Sequence, residues 1–403
     1  MIEGGPLHGK RVVLGVCGSI ACYKAADIAS KLTQAGALVD VILTASAQKF
    51  VTPLTFRSLT RRPVFTDMFD PESPLAEEHV ELARAADAVL IAPASATTLA
   101  RLAHGLADDM LALTALATTA PVVVAPAMDA QMWEHAATRA NADLLRQRGV
   151  IFAGPAEGRL ASGRMGLGRM LETDDLIGAL RQALGAKGDL AGRRIVVSAG
   201  GTQEPIDPVR YIGNRSSGKM GFAIAEAARD RGAIVTLVTG PVALATPYGV
   251  ERIDVRTTAE MGAAVARATE GCAALVMAAA PADFRAAAAA DQKIKRTGDA
   301  LSLELVPSDD ILAGLRGPFV KVGFAAETQQ VMVNAHAKIA KKGLDLIVAN
   351  DVTAPQAGFA TDTNLVSIIA ADGTVDELPL LPKYEVAWRI LDRVAALLSQ
   401  REG

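Results

Sequence analysis

The stretch from Ser198 to Gly221, SAGGTQEPIDPVRYIGNRSSGKMG, decides how the chain folds. Just ahead of it, RRIVV at 193–197 reads as a buried strand ending at Ser198. Just after it, GFAIAEAARDRG at 221–232 spaces its apolar residues three and four apart, as a helix buried along one face does. The glycines and hydroxyls between them, with Arg210, Asn214, Arg215 and Lys219, therefore lie between a strand end and a helix start. Backbone N–H groups and the helix dipole favour an anion at such a place. A structural loop would explain the Gly and Ser residues alone. It would not explain so many convergent donors.

Composition sets limits on everything outside that stretch. The 403 residues, 50% of them hydrophobic, suffice for two cores. Lys and Arg total 41 against 44 Asp and Glu, a formal charge of -3, so nothing in the balance argues for a nucleic-acid partner. Cys17, Cys22 and Cys272 have neither metal-site spacing nor the pattern of a disulfide framework. The first residues, MIEGGPLHGKR, lack the apolar core of a signal peptide. LALTALATTAPVVVAPAM at 111–128 is broken by Pro121 and Pro126, so it reads as a helix and a short strand and not as a membrane span. A soluble cytoplasmic protein is expected.

In the first half, RVVLGVCGS at 11–19, a helical pattern over Ile20–Gln34 and ALVDVILT at 37–44 make a βαβ unit with parallel strands. DAVLIAPAS, helices from about Thr98 and near Asp109, PVVVAPAM and a helix to roughly Arg146 continue a doubly wound α/β sheet. Ligands sit beyond the carboxyl ends of such strands. That rule selects Gly18-Ser19-Ile20, Thr44-Ala45-Ser46, Pro93-Ala94-Ser95 and Pro126-Ala127-Met128-Asp129. These loops offer hydroxyls and amides with almost no positive charge, and there is no GxGxxG. They suit an FMN phosphate held by N–H and O–H donors. His79, one of five histidines, stands near a helix start, where it is either a base or an exposed helix residue. Met132 and Trp133 are core or the wall of a ring pocket. Residues 154–170, GPAEGRLASGRMGLGRM, lack a regular pattern and read as an active-site flap, with Arg164 and Arg169 available to an anion.

GAKGDLAGR at 185–193 is the domain boundary, giving residues 1–185 and 186–403. The second domain restarts the pattern, with strands at Arg252–Val255, Ala274–Ala278, Val320–Phe324 and Leu344–Val348 and helices at about Thr258–Ala268 and Val331–Lys342. Beyond its strands lie Asp283, Arg285, Lys293, Lys295, Arg296, Glu327, Lys338, Lys341, Lys342, Asn350 and Asp351. Cations facing carboxylates suit a nucleotide triphosphate with Mg2+ or Mn2+, although no set of metal ligands can be read from the spacing. The alanine run at 286–290 reads as a flexible or helical connection.

The motifs AGGTQEPIDPVRYIGNRSSGKMG, MAAAPADFR, KIKR, VGFAAET and IVAND occur together and in order. With them the chain resembles, over nearly its whole length, the bacterial bifunctional phosphopantothenoylcysteine decarboxylase/phosphopantothenate-cysteine ligases of coenzyme A biosynthesis. The resemblance implies a C-terminal Rossmann-like ligase domain that uses CTP to convert 4'-phosphopantothenate to an acyl-cytidylate, which the amine of L-cysteine then attacks. It implies that Asn214 serves the acyl-cytidylate and that Arg210 and Lys219 lie in the substrate region. Gly200, Gly201, Asp283, Phe284, Lys293, Phe324, Lys338 and Lys342 fall at the nucleotide. The first half resembles an N-terminal flavodoxin-like FMN domain of the cysteine decarboxylase family. There GSIACYK is the first cofactor loop (Gly18, Ser19, Ile20, with Thr44 and Ser95 beyond other strands), His79 is the catalytic histidine and 154–170 is the flap.

Three positions depart from that family's pattern: PASATT has Thr97 for Asn, PAMDAQMW has Asp129 for Asn at the substrate, and LASG has Ser162 for the cysteine that donates a proton. The resemblance also implies a homo-oligomer, with dimeric ligase and trimeric flavin domains that a dodecamer would satisfy together. The alternative is a monofunctional ligase with a degenerate flavin-domain scaffold.

Overall fold

In the computed structural model, which describes residues 5–69, 77–296, 301–327, 331–351 and 361–402, the apolar runs of the sequence are strands. The chain divides into two units, Met1–Gly185 and Ala186–Gly403.

The first unit is built on strands β1 (Arg11–Val16), β2 (Leu38–Leu43), β3 (Val64–Phe65), β4 (Ala88–Ala94), β5 (Val122–Pro126) and β6 (Ile151–Phe152). All neighbours pair in parallel, in the order β3-β2-β1-β4-β5-β6. Every residue of β4 is buried, and every residue of β1 except the first. Such strands need cover on both faces. Helices α1 (Cys22–Gln34), α2 (Pro53–Thr60), α3 (Glu78–Ala85), α4 (Ala96–His104), α5 (Met110–Ala117), α6 (Ala130–Glu134), α7 (Ala136–Gln147) and α8 (Thr173–Gly185) supply it. In α1 the buried residues are Cys22, Ala25, Ile28, Ala29 and Leu32, the three-and-four spacing of one helical face. Its chain then leaves through Gly36 at φ 85°, a left-handed position that glycine adopts at little cost. Without the two-residue edge strand β3 the order is flavodoxin-like, reversing between β1 and β4.

Residues 154–170 are not irregular. They form an antiparallel hairpin of β7 (Ala156–Arg159) and β8 (Met165–Arg169). Its glycines conceal the strands, because they serve close approach and not apolar alternation. A Cβ on Gly168 would lie 2.3 Å from the Met128 carbonyl oxygen, and one on Gly166 would lie 2.8 Å from Ala130 Cβ.

The second unit contains β9 (Arg194–Ala199), β10 (Glu204–Pro205), β11 (Tyr211–Ile212), β12 (Ile234–Thr239), β13 (Glu251–Asp254), β14 (Ala274–Met277), β15 (Phe284–Ala286), β16 (Leu305–Pro307), β17 (Val320–Glu327) and β18 (Leu346–Asp351). Beyond them come β19 (Thr363–Asn364), β20 (Val366–Ala370), β21 (Val375–Glu377) and β22 (Leu381–Pro382), and the helices are α9 (Lys219–Arg229), α10 (Thr258–Ala268), α11 (Ile311–Gly314), α12 (Val331–Lys342) and α13 (Lys383–Glu402). The main sheet runs β13-β12-β9-β14-β17-β18-β20-β21. Its first six strands have Rossmann order, reversing between β9 and β14. The sheet is parallel through these six strands, as expected, and β20 and β21 extend it with an antiparallel edge.

The alanine run is also different from its expectation. Ala286 ends β15, Ala287 N–H donates to Glu304 O at 3.0 Å, and Ala290 N–H donates to Ile206 O at 2.9 Å. Pairing with these neighbours overrides alanine's helix propensity. Among the described residues no helix is long and apolar enough to cross a membrane. All three cysteines are free and buried.

Candidate active sites

In the second unit a cavity of about 590 Å³ opens at the carboxyl edge of the sheet, where its order reverses. Glycines let the loop after β9 fold back over the strand end. A Cβ on Gly201 would sit 2.6 Å from Asn214 O, and one on Gly213 would sit 2.4 Å from Thr202 O. Gly200 and Gly218 have φ of 74° and 77°, open to glycine without strain. The loop thereby lays Asn214 and the first turn of α9 along the cavity.

Asn214 Nδ2 donates to Pro281 O at 2.9 Å, which ties the loop to the segment after β14. Lys219 Nζ donates to Asp362 Oδ1 at 2.7 Å, and this pairing holds the Asp362 carboxyl below its ordinary range. On the opposite wall Lys342 Nζ lies 3.0 Å from Asp310 Oδ2. Burial pushes the Asp310 carboxyl up, but Lys342 and the Ala313 N–H outweigh it and the net shift is downward. Burial lowers the pKa of Lys383, whose Nζ donates to Thr361 O.

The cavity brings together Asn214, Lys219, Asp283, Phe324, Lys338 and Lys342 from the expected set. Gly200 and Gly201 shape its loop without lining it, and Phe284 and Lys293 are exposed outside the lining. Arg210 is bound elsewhere: its guanidinium and backbone N–H donate to Asp207, which is buried and also accepts the N–H groups of Val209 and Ile294. Arg210 thereby holds the Asp207 carboxyl well below the usual carboxylate range. The side chains of Glu327 and Asp351 lie outside the described residues.

Ser308, Asp309, Asp310, Asn364 and Lys383 were not singled out from the sequence, yet they line this cavity. Their only sequence signal is the acidic SDD before a helix start at 308–310. Asn350 Oδ1 and Ser308 Oγ, both at the cavity, are buried and make no hydrogen bond. Buried polar atoms normally have partners, so two orphans in one cavity mark where a polar ligand completes the structure. Among the described residues no three His, Cys, Asp or Glu side chains gather as a metal cage. Asp283 and Asp309 nonetheless present carboxylates to the cavity, a donor set that fits Mg2+ bound mainly through phosphate and water.

In the first unit a cavity of about 640 Å³ is lined by Ser19 and Ile20 after β1, Asp129 after β5, and Ser162 at the turn of the β7–β8 hairpin. Ser162 Oγ donates to Asp129 Oδ2 at 2.9 Å, and Gln131 N–H donates to Asp129 Oδ1 at 3.1 Å. These bonds, Ser162 first, hold the Asp129 carboxyl below its ordinary range, so it is an anion at neutral pH. Gly18 brings the loops after β1 and β2 together, since a Cβ there would fall 2.4 Å from Ser46 Cβ.

Thr44 Oγ1 accepts from Ala47 N–H and Ser95 Oγ accepts from Thr98 N–H, so both act as local caps and neither lines the cavity. His79 is the second residue of α3 and also lies off the lining. Trp133 is core, 6.4 Å from the Phe152 ring. The buried Cys17 thiol is pushed up to about 12 by desolvation and is inert as a thiolate. Lys24 and Arg159, absent from the sequence-derived set, join Arg169 on the rim.

Residues 2–185 match the family model described as Flavoprotein, and residues 190–398 match that described as DNA/pantothenate metabolism flavoprotein C-terminal domain. The chain is 45% identical over 400 residues to the Coenzyme A biosynthesis bifunctional protein CoaBC of Bacillus subtilis (strain 168), covering 98% of each chain. It is 44% identical over 403 residues to the protein of the same name from Escherichia coli (strain K12), covering 98% of this chain and 99% of that one. A crystal structure of the C-terminal domain of a CoaBC protein is 38% identical, with TM-score 0.46, covering 53% of this chain and 99% of that chain.

Proposed function

The chain belongs to the family of coenzyme A biosynthesis bifunctional proteins, and from that premise we propose how its two cavities divide the chemistry. It is a flavoprotein with phosphopantothenate-cysteine ligase and phosphopantothenoylcysteine decarboxylase activities. Its likeness to bifunctional relatives runs through both halves, which favours this reading over a ligase with an idle flavin scaffold.

The second unit is the ligase. CTP would lie in its cavity with the triphosphate toward Lys338 and Lys342, and Asp283 and Asp309 would hold Mg2+, which would neutralise phosphate charge. The carboxylate oxygen of 4'-phosphopantothenate bonds to the α-phosphorus and pyrophosphate leaves. The amine of L-cysteine then bonds to the acyl carbon, CMP leaves, and the amine proton passes to solvent. Asn214, fixed through its Nδ2 bond to Pro281 O, positions the acyl-cytidylate, and Lys219 faces its negative charge. The observation that carries this reading is the pair of buried, unpartnered polar atoms, Asn350 Oδ1 and Ser308 Oγ, in a cation-lined cavity. Incubation with CTP, Mg2+, 4'-phosphopantothenate and cysteine tests it: one equivalent each of CMP and pyrophosphate per amide is expected. AMP formation with ATP at equal efficiency would remove the assignment to CTP.

The first unit is the decarboxylase. Gly18, Ser19 and Ile20 hold FMN, which supplies the electron sink for loss of CO2 from 4'-phospho-N-pantothenoylcysteine. Asp129 and Ser162 stand together at the cavity, so the serine proton is directed to the carboxylate and the hairpin turn is anchored over the ligand. His79 is assigned as the base of this half from the resemblance. Arg210, Phe284 and Lys293 complete the ligase substrate and nucleotide sites when ligands or a second subunit are present. We assign the working assembly as a cytoplasmic homo-oligomer.

A further inference from the structure

The first unit's cavity has a charge pattern that the roles assigned above to Asp129, Ser162 and His79 do not use. Its lining carries three cations, Lys24, Arg159 and Arg169, against one carboxylate, Asp129. The cations come from separate elements. Lys24 lies in the first turn of α1, Arg159 on β7 and Arg169 on β8. Two of them are held in place by one carboxylate outside the lining: Lys24 Nζ donates to Glu172 Oε2 at 2.9 Å, and Arg169 Nη2 donates to Glu172 Oε1.

Lys24 is no loose surface lysine, for its side chain is only 12% exposed. Arg169 crosses the hairpin over Gly158, where a Cβ would come within 3.4 Å of its Nη1. Hydrogen bonding from Lys24 keeps the Glu172 carboxyl below its ordinary range, so its charge stays fixed and offsets only one of the two cations. The rest of the lining is mostly apolar, with Ile20, Tyr23, Met128, Leu160 and Met170.

We propose that Lys24 and Arg169, oriented by Glu172 and assisted by Arg159, bind the terminal phosphomonoester of the decarboxylation substrate. The inference rests on the decarboxylase reading of this unit. It also sets the substrate's direction. The dianionic end is the one most strongly repelled by Asp129, so the phosphate lies at the Lys24–Arg169 rim, the neutral arm crosses the apolar lining, and the cysteinyl end reaches Asp129 and Ser162. Neither cation touches the reacting atoms; they determine specificity. A phosphomonoester also terminates FMN, and the test separates the two sources.

Full-length protein is titrated calorimetrically with 4'-phosphopantetheine and with pantetheine, and its flavin content is measured by absorbance. Wild type should prefer the phosphorylated ligand. Lys24→Met should weaken that ligand by roughly tenfold to a hundredfold, the range for a hydrogen bond to a charged group, while pantetheine affinity, flavin content and melting temperature hold. Because Lys24 belongs to the first unit, the difference between wild type and variant reports that unit alone. Glu172→Gln, which frees both cations of their carboxylate, should tighten the phosphorylated ligand selectively. Equal losses for both ligands in Lys24→Met would mark a merely structural residue and overturn the proposal, leaving the decarboxylase reading intact. Loss of flavin with unchanged preference would assign the rim to the FMN phosphate and equally overturn it. Failure of wild type to bind either ligand would overturn the proposal and the decarboxylase reading together.

Discussion

Asn214 and Lys342 face the same cavity but stand in different relations to it, and their substitutions should separate. Asn214 is tied by its own Nδ2 to the backbone after β14, so its position is set before any ligand arrives. Groups fixed in advance opposite developing charge act mainly on the transition state. Asn214→Ala should therefore lower the rate of amide formation by roughly a hundredfold while CTP still binds. Lys342 spends its charge on Asp310 at 3.0 Å and on whatever anion shares the cavity. Lys342→Ala should raise the KM for CTP about tenfold, the loss of one charge-assisted contact, with a smaller change in kcat. Steady-state kinetics and isothermal CTP titration of both variants check the division, and an equal loss of CTP affinity in the two would refute it. Asn214 and Lys342 were legible because each sits in a short motif beside a buried strand. Asp310, Lys383 and Lys24 were not. Their partners or cavity neighbours come from distant segments, as Glu172 does for Lys24 across 148 positions, and only the folded sheet brings such residues together.

At the scale of elements, the longer parallel strands could be placed to within a few residues because burial on both faces leaves an uninterrupted apolar run, whereas the two-residue strands β3 and β6 were too short to show one. The β7–β8 hairpin could not, because its glycines answer to the backbone they press against. Gly168 is the sharpest case. A Cβ there would meet the Met128 carbonyl oxygen at 2.3 Å, and the Gly168 carbonyl accepts the Met128 N–H at 3.0 Å. Backbone on both sides leaves little room to yield, so Gly168→Ala should displace the hairpin at a cost of about 1–3 kcal/mol. CO2 release from pre-formed 4'-phospho-N-pantothenoylcysteine should fall sharply, and amide formation by the second unit should be unchanged. Retained CO2 release would show that the hairpin need not close on Asp129.

The loop at 207–210 makes a separate case, because one carboxylate gathers it. Asp207 accepts from Arg210 and from the N–H groups of Val209, Arg210 and Ile294. Its carboxyl lies lower in the folded state than in the unfolded chain. The stabilisation is thus full above about pH 4, the unfolded carboxyl value, and is lost only as the pH falls through the depressed folded value. Asp207→Asn should remove it at neutral pH, seen as faster amide exchange at Ile294. Unchanged exchange would show that the Asp207 carboxylate is not what fixes this loop.

On the scale of the whole molecule, each unit has its own sheet and its own cavity, and the boundary at Gly185 and Ala186 ends α8 before β9 begins. A unit with its own core should fold alone. Residues 186–403 should therefore keep ligase activity, and residues 1–185 should bind FMN. Each unit also exposes large apolar side chains, Leu54 in the first and Tyr211 and Phe284 in the second. Tyr211 and Phe284 lie on β11 and β15, small strands that pack together. If the second unit pairs about a twofold axis and the first associates about a threefold axis, one chain cannot satisfy both contacts in either assembly alone. A hexamer with perpendicular axes and a tetrahedral dodecamer both close the two contacts, and the dodecamer is the arrangement that the family resemblance implies. Light-scattering masses should then give a dimer for residues 186–403, a trimer for residues 1–185 and a dodecamer for the full chain, with no larger species at higher concentration. Tyr211→Glu should reduce the full chain to trimers. It should also lower ligase activity if the second subunit completes that site. A monomeric and fully active 186–403 fragment would remove the twofold contact from the argument, and the dodecamer would go with it.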